Sequence, residues 1–303
     1  MREVRVSAKS REAEGVVSFE LSGDDLPSWS PGAHVDVGIG PGLVRQYSLC
    51  GAPGDRGRWR IAVLREETGR GGSRRLHDVI MPGDTLLVGQ PRNNFPLEPA
   101  PGYVFVAGGI GITPLLPMIA EAERLGAEWT LYYGGRHRAR MAFTDELARH
   151  GERVRVLPED ECGLLPLADI VAGSDHPVYC CGPEPLLAAA ERVCPPRRLR
   201  LERFHPREIT VTGRERESEV VASISGQTIT VAPGESILDA LDSAGVPMPS
   251  SCREGTCGTC ETAVLEGEVE HRDSVLSDAE RAAGKTMMVC VSRARSARLV
   301  LDV

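Results

Sequence analysis

The chain has 303 residues, a net charge of −8 at pH 7 and nine cysteines. This length suits two or three domains, each with a core of its own. The 35 Lys and Arg residues are spread along the chain, which argues against binding to nucleic acid or to an anionic membrane. The N-terminal segment lacks the apolar core of a signal peptide, and no apolar run is long enough to span a bilayer. We therefore expect a soluble, cytoplasmic, monomeric protein whose partners are small molecules or other proteins.

Three stretches of the chain differ in their patterning. Residues 1–100 alternate short apolar runs with Gly- and Pro-rich turns, which predicts an antiparallel β-barrel or sandwich. Residues 101–206 alternate buried strands with helices, which is typical of an α/β parallel sheet. Residues 207–218 are charged and weakly patterned and are predicted to be a linker. Residues 219–303 form a third predicted domain.

The third domain opens with a predicted hairpin followed by a helix. The hairpin is expected to turn at Ser225 and Gly226, because a Gly there suits a tight turn. The N-cap of the helix would be Glu235 or Ser236.

The strongest motif is a group of four cysteines near the C-terminus. Cys252, Cys257 and Cys260 form C-x4-C-x2-C, and Cys290 follows after 29 further residues. This is the ligand spacing of a plant-type [2Fe-2S] cluster. Intervening glycines let the loop wrap closely, so that backbone N–H groups can point at the sulfurs.

A zinc site is the alternative for these four cysteines. Such sites usually pair two closely spaced knuckles, whereas here three ligands share one loop and the fourth stands alone. The other five cysteines are expected to be reduced thiols in or near a core, and they are Cys50, Cys162, Cys180, Cys181 and Cys194.

The cysteine-rich segment carries a family resemblance. SCREGTCGTCETAVLEGEVEHRDSVLSDAE, followed by MMVCVSRARS, resembles the C-terminal ferredoxin domain of the phthalate dioxygenase reductase and vanillate O-demethylase reductase family. The resemblance covers the whole third domain and implies an α+β fold of the β-grasp type.

A second resemblance lies in the first domain. Arg45, Gln46, Tyr47 and Ser48 match the RxYS signature of the ferredoxin reductase superfamily, whose members bind a flavin on a β-barrel. An Arg supplies a permanent charge for phosphate, an aromatic ring covers the isoalloxazine, and a hydroxyl can hydrogen-bond the reactive N5. We therefore assign Ser48 a catalytic as well as a cofactor-binding role.

A glycine-rich stretch, Arg70–Arg74, precedes a predicted helix. Its amides would meet a phosphate at the helix N-terminus, and the family implies that this stretch holds the phosphate of FMN rather than of FAD. The resemblance further implies flavin contacts from Val63-Leu64-Arg65 and from the aromatic Phe204. The predicted phosphate ligands are Gly71, Gly72, Ser73 and Arg74.

Two motifs indicate a nicotinamide nucleotide. Gly108–Pro114 lies between a buried strand and a helix, where glycines let a pyrophosphate approach backbone amides, and it is similar to the family's GGxGxTP. Cys181-Gly182-Pro183 is similar to the family's CGPxxL. The resemblance implies binding by Gly109, Gly111, Thr113, Pro114, Cys181, Gly182 and Pro183, with Thr113 and Cys181 closest to the reacting ring.

The donor is expected to be NADH, which is usual in the family. The family also implies that Arg136 meets the adenosine part of the nucleotide. Further positive side chains at His137, Arg138 and Arg140 could attract a 2′-phosphate, so NADPH stays open.

Together the motifs predict an oxidoreductase that moves electrons from NADH through FMN to its [2Fe-2S] cluster. No motif builds a site for substrate oxidation, so the terminal reaction must occur on another protein. By resemblance the acceptor is the terminal oxygenase component of a Rieske-type aromatic hydroxylase or demethylase, and a cytochrome P450 is the second candidate. A zinc-binding regulatory protein without catalytic activity is the rival from another class.

Overall fold

A computed structural model describes residues 1–40, 42–207 and 216–303 of the chain. Residues 208–215, most of the predicted linker at 207–218, lie outside the described residues. The chain forms two compact units, Met1–Glu202 and Arg203–Val303. The domain boundaries given above stay predictions.

The first part of unit one is a six-stranded antiparallel sheet in the order β4-β3-β6-β1-β2-β5. A bridge between Leu49 and Ile61 joins the two edges of the sheet and closes it into the predicted barrel. A single helix, α1, spans Gly72–Asp78. The strands are β1 (Arg2–Ala13), β2 (Val16–Ser22), β3 (His34–Gly40), β4 (Leu43–Ser48), β5 (Arg58–Leu64) and β6 (Thr85–Val88).

The barrel core forms because alternate strand residues point inward. Phe19, Trp59 and Ile61 are fully buried there, and Leu76 anchors α1 to the same core. The ammonium of Lys9 donates to the carbonyls of Leu76, His77 and Ile80 at the C-terminal end of α1. A cation at this end is favoured by the helix dipole, so β1 fixes the position of α1.

The second part of unit one is a five-stranded parallel sheet in the order β11-β10-β7-β8-β9, which confirms the predicted α/β class. β7 is buried along its whole length, because helices cover both faces of such a sheet. Its strands are β7 (Gly102–Gly108), β8 (Glu128–Gly135), β9 (Val154–Pro158), β10 (Val178–Cys181) and β11 (Leu199–Glu202). Its helices are α2 (Leu115–Arg124), α3 (Thr144–Ala148), α4 (Glu159–Cys162), α5 (Leu167–Ala172) and α6 (Glu184–Val193).

Unit two holds a mixed five-stranded sheet in the order β13-β12-β18-β14-β16, with a small β15-β17 pair. α7 (Ile237–Ser243) buries its apolar face in the core of this unit, which agrees with the predicted β-grasp class. The strands are β12 (Ser218–Ala222), β13 (Gln227–Val231), β14 (Glu261–Glu266), β15 (Val269–Glu270), β16 (Thr286–Met288), β17 (Arg293–Ala294) and β18 (Arg298–Leu301). The second helix is α8 (Asp278–Ala283).

The predicted start of α7 is confirmed. Ser236 is its N-cap, and its hydroxyl accepts a hydrogen bond from the Asp239 amide at 3.0 Å. Throughout the ranges that the structure describes, every helix is too short or too polar to cross a membrane.

Two turns of unit one touch at the carboxyl edge of the parallel sheet. β7 and β10 are neighbours, with Ala107 opposite Cys181. A Cβ on Gly108 would lie 2.7 Å from Pro183 Cδ, and one on Gly182 would lie 2.9 Å from Gly108 Cα. Both distances are too short for carbon atoms, so the turns can pack this closely only with glycine at these positions.

We expect Gly111→Ala to lower the free energy of unfolding by about 1–3 kcal/mol, the usual cost of overpacking. The new Cβ would overlap the carbonyl group of Cys181. Urea unfolding measures the effect, with Gly54→Ala as the control because its Cβ would meet open space. Equal stability of the two variants would contradict the close approach of the turns.

Candidate functional site

The two predicted nicotinamide motifs come together in unit one. One follows β7 and the other follows β10, and the chain order reverses between these adjacent strands. The crevice outside the carboxyl ends of the strands at such a switch point is the usual ligand site of an open α/β sheet. The strand pairing and the close approach of the two turns therefore bring Gly109, Gly111, Thr113, Cys181, Gly182 and Pro183 together at this edge of the sheet.

Thr113 closes the first turn. It is 2% exposed, and its hydroxyl donates to the carbonyl of Ile110 at 3.0 Å. Pro114 then begins α2. The turn is thus fixed by its own side chain before any ligand binds.

Cys181 is a buried neutral thiol. It belongs to the same apolar cluster as Ala107 and Ile112, whereas Cys180 points into the core on the other face of the sheet. Burial raises the pKa of Cys181 well above its ordinary value, and Glu202 adds to the effect. The thiol therefore stays protonated, which makes a role as a nucleophile unfavourable.

Glu202 is a candidate site residue that the sequence reasoning missed. It ends β11 directly opposite Cys181, and its Oε2 is buried without a hydrogen-bond partner among the described residues. Burial raises the pKa of this carboxyl to about 8, so it is mostly protonated at neutral pH. Strongly shifted pKa values cluster at functional sites. The available signal was an acidic residue in the last position of a predicted strand.

The predicted flavin residues lie on β4. Arg45 packs against the first turn of α1, because a Cβ on Gly72 would lie 3.0 Å from Arg45 Cγ. Burial raises the pKa of Tyr47. Ser48 is 5% exposed, and its Oγ has no hydrogen-bond partner in the described structure. The side-chain amide of Gln46 donates to Asp36 at 2.6 Å.

The glycine-rich stretch is open at the N-terminus of α1. Gly71 has a φ of 87°, the first turn carries no acidic residue, and no side chain caps the helix. Such an end leaves N–H donors for an anion. Ser73 instead accepts from the Glu66 amide at 3.0 Å, and Arg74 is exposed. Arg45 and the predicted phosphate loop are therefore adjacent.

The remaining predicted residues of unit one are more scattered. Val63 is fully buried in the barrel core, and its carbonyl is 2.9 Å from His77 Nε2. Leu64 packs partly against the core of the parallel sheet. Arg65 is tied to Glu67 at 2.8 Å and to Asp78 of α1.

The predicted adenosine segment lies at the carboxyl end of β8. His137 is paired with Asp160 at 3.0 Å, and Arg138 is paired with Glu161 at 2.6 Å. Two of the four basic residues of this segment are thus paired with carboxylates of α4. Arg136, which precedes them, is exposed. Phe204 belongs to unit two and is 37% exposed.

The four predicted cluster cysteines are buried in unit two and lie in two pairs. The thiols of Cys252 and Cys257 are hydrogen-bonded, and so are those of Cys260 and Cys290. The shared hydrogen bond lowers the pKa of Cys252 and of Cys260 and raises that of each partner. Two pairs fit a cluster of two irons with two thiolates each.

The loop around the first pair supplies further donors. The Glu254 amide donates to Cys252 Sγ at 3.3 Å, and Thr259 Oγ1 lies 3.2 Å from Cys257 Sγ. Arg253 and Gly255 have φ angles of 57° and 70°, in the left-handed region that turns a chain sharply. The loop is therefore shaped to aim donors at sulfur, as the predicted cluster requires.

Known proteins resemble the whole chain. The 2Fe-2S iron-sulfur cluster binding domain family matches residues 221–295. Phenoxybenzoate dioxygenase subunit beta of Ectopseudomonas oleovorans is 46% identical over 310 residues, covering 99% of this chain and 97% of that protein. The crystal structure of an intact type IV self-sufficient cytochrome P450 monooxygenase matches with a TM-score of 0.92 and 44% sequence identity, and the match covers 100% of this chain and 41% of the P450 chain.

Phthalate dioxygenase reductase is described as a modular structure for electron transfer from pyridine nucleotides to [2Fe-2S]. Its structure matches with a TM-score of 0.71 and 37% sequence identity, and the match covers 100% of this chain and 98% of the reductase chain. This chain belongs to the phthalate dioxygenase reductase family of flavin-, nicotinamide- and [2Fe-2S]-dependent oxidoreductases, as its motifs indicated.

The buried Glu202 carboxyl predicts a pH-dependent stability. In the folded chain the pKa of the Glu202 carboxyl is about 8, whereas the ordinary pKa of a glutamate is 4.5. Between these values the folded state binds more protons than the unfolded state, so stability falls as pH rises. We expect the wild type to lose about 2 kcal/mol relative to Glu202→Gln between pH 6 and pH 8, measured by urea unfolding.

The control is Glu219→Gln, whose side chain is exposed and whose variant should keep the wild-type pH dependence. The same pH dependence in all three proteins would show that Glu202 ionises normally in the folded state.

Proposed function

We propose that this chain is the NADH-dependent reductase of an oxygenase system, with FMN as its flavin. Electrons enter from NADH at the crevice of unit one, pass through the flavin to the [2Fe-2S] cluster of unit two, and leave to a terminal oxygenase. The observation that carries the proposal is one chain holding both the paired nicotinamide turns at a sheet switch point and the two buried thiol pairs. The turns suit the nucleotide that donates electrons, and the thiol pairs suit the iron–sulfur cluster that passes them on.

The residues of unit one fit the two ligands. A bound flavin accepts a two-electron hydride and releases electrons singly to a one-electron iron–sulfur centre. Gly71 and Gly72 at the uncapped end of α1, together with Arg45, would hold the single phosphate of FMN. The buried Ser48 hydroxyl has hydrogen-bonding capacity left for the reacting edge of the ring.

The crevice residues would orient the nicotinamide. Thr113 and the neutral Cys181 pack at the edge of the crevice and exclude water from it. The protonated Glu202 carboxyl can donate a hydrogen bond to a polar group of the ligand. None of these groups needs to form a covalent bond, because hydride transfer depends on distance and alignment.

NADH is favoured over NADPH by the pairing of the positive side chains. Asp160 and Glu161 hold His137 and Arg138 in close pairs. These two side chains are therefore less available to bind a 2′-phosphate. Arg136 stays available for the adenosine part of the nucleotide.

The acceptor we propose is a Rieske-type terminal oxygenase that hydroxylates or demethylates an aromatic compound. The dioxygenase subunit and phthalate dioxygenase reductase described above support this choice. A cytochrome P450 is the second candidate, because a self-sufficient P450 contains a region similar to this whole chain. None of the nine cysteines is joined to another by a disulfide, and we propose a cytoplasmic location, where thiols are kept reduced.

The test is the visible spectrum of the anaerobically purified chain, before and after one equivalent of NADH, with metal analysis of the same sample. We expect flavin and cluster absorbance that bleaches on NADH, with about two irons per chain. A colourless protein containing zinc would refute the proposal. Transfer to a purified Rieske oxygenase and to a purified P450 then decides between the two acceptors.

Ser48→Ala tests the flavin side of the site. We expect flavin to stay bound while its reduction by NADH slows about 10- to 100-fold, the size of one lost hydrogen bond in the transition state. Stopped-flow absorbance measures this rate. Ser22→Ala, in the same barrel but bonded to a backbone carbonyl, is the control, and an unchanged rate in Ser48→Ala would exclude this role of the hydroxyl.

A further inference from the structure

Unit two contains a buried group of charged residues that the proposed electron route has not used. Asp273 has a fully buried side chain, and the side chain of Arg281 is 20% exposed. His271 lies beside them, with its Nδ1 3.8 Å from Asp273 Oδ1. Burial is the main cause that lowers the pKa of His271, which leaves the imidazole neutral. Charged residues are rarely buried this completely without a function or a partner.

The contacts of Asp273 fix one of its oxygens and leave the other open. Oδ2 accepts from the amides of Val275 and Leu276 at 3.0 and 2.8 Å. Oδ1 is buried without a hydrogen-bond partner among the described residues. Arg281 donates to the Asp273 carbonyl at 2.8 Å, and its guanidinium is 3.8 Å from Oδ2. The carboxylate charge is therefore only partly balanced.

This group touches the loop that carries the cluster cysteines. The Ser274 amide donates to the Gly255 carbonyl at 2.8 Å. A Cβ on Gly255 would lie 3.1 Å from Asp273 Cα, so the two backbones are in contact there. The Gly255 amide in turn hydrogen-bonds the sulfur of Cys290. One residue thus separates Asp273 from a predicted ligand.

We propose that Asp273, whose neighbour Ser274 holds the loop at Gly255, is a positioning residue for the cluster and that its charge, opposed by Arg281, sets the cluster's reduction potential. This inference rests on the proposed [2Fe-2S] site. A buried negative charge disfavours an added electron, because screening is weak in a low-dielectric interior. Arg281 has the opposite effect, so the two residues tune the potential in opposite directions.

The experiment is a redox titration of the full chain, followed by the EPR signal of the reduced cluster. Asp273→Asn keeps an oxygen for the two amides and removes the charge, so we expect a higher midpoint potential than in the wild type. Arg281→Gln keeps a donor for the Asp273 carbonyl and removes the opposing charge, so we expect a lower one. Asp278→Asn is the control, because this carboxylate is 90% exposed and also lies near Arg281.

Shifts of opposite sign, with the control unchanged, would support the inference, since damage to packing alone gives no reason for opposite signs. Equal potentials in all four proteins, or shifts of the same sign, would overturn it. If Asp273→Asn assembles no cluster, Arg281→Gln decides, and the absence of a lower potential then overturns the inference. A wild-type chain that binds no cluster would instead refute the proposed function.

Discussion

The contact between two glycine backbones, Gly108 and Gly182, is the constraint on which the site of unit one depends. Strand order alone brings β7 and β10 side by side, but it does not bring their turns together. Closure requires that neither turn carries a side chain at the point of contact. Once the turns touch, Thr113 on one and Cys181 on the other define the same crevice. The glycine motifs therefore serve packing between the turns as well as close approach of a ligand.

Burial sets the protonation state of the groups at this edge of the sheet. Cys181 and Glu202 lie opposite each other at the carboxyl ends of β10 and β11, and both lose contact with water in the folded chain. For Cys181 and Glu202 desolvation is the largest cause of the raised pKa, so both groups are neutral near pH 7. A neutral crevice accepts the uncharged nicotinamide ring of a reduced donor without uncompensated charge. It also leaves the carboxyl proton available for a hydrogen bond.

Sequence patterns predicted the parts of this molecule that depend on local order. The cysteine spacing identified the four buried thiols, and the position of Ser236 before an apolar helix identified its N-cap. What escaped prediction depends on pairing between distant segments. Glu202 acquires its shifted pKa from burial in the folded sheet, where it lies opposite Cys181. His137 and Arg138 are matched by acids more than twenty residues later. No periodicity within a strand or helix encodes such contacts.

The two redox sites follow opposite electrostatic rules. In unit one, burial removes charge, and the groups around the crevice are neutral hydrogen-bond partners. In unit two, hydrogen bonds favour charge against the effect of burial, because the thiol pairs lower the pKa of one cysteine each and the Glu254 amide donates to Cys252 Sγ. A hydride donor needs a neutral, dry surface, whereas an iron centre needs thiolates stabilised by amide dipoles. Asp273 belongs to this second site, because its buried carboxylate lies beside the loop that carries the cluster cysteines.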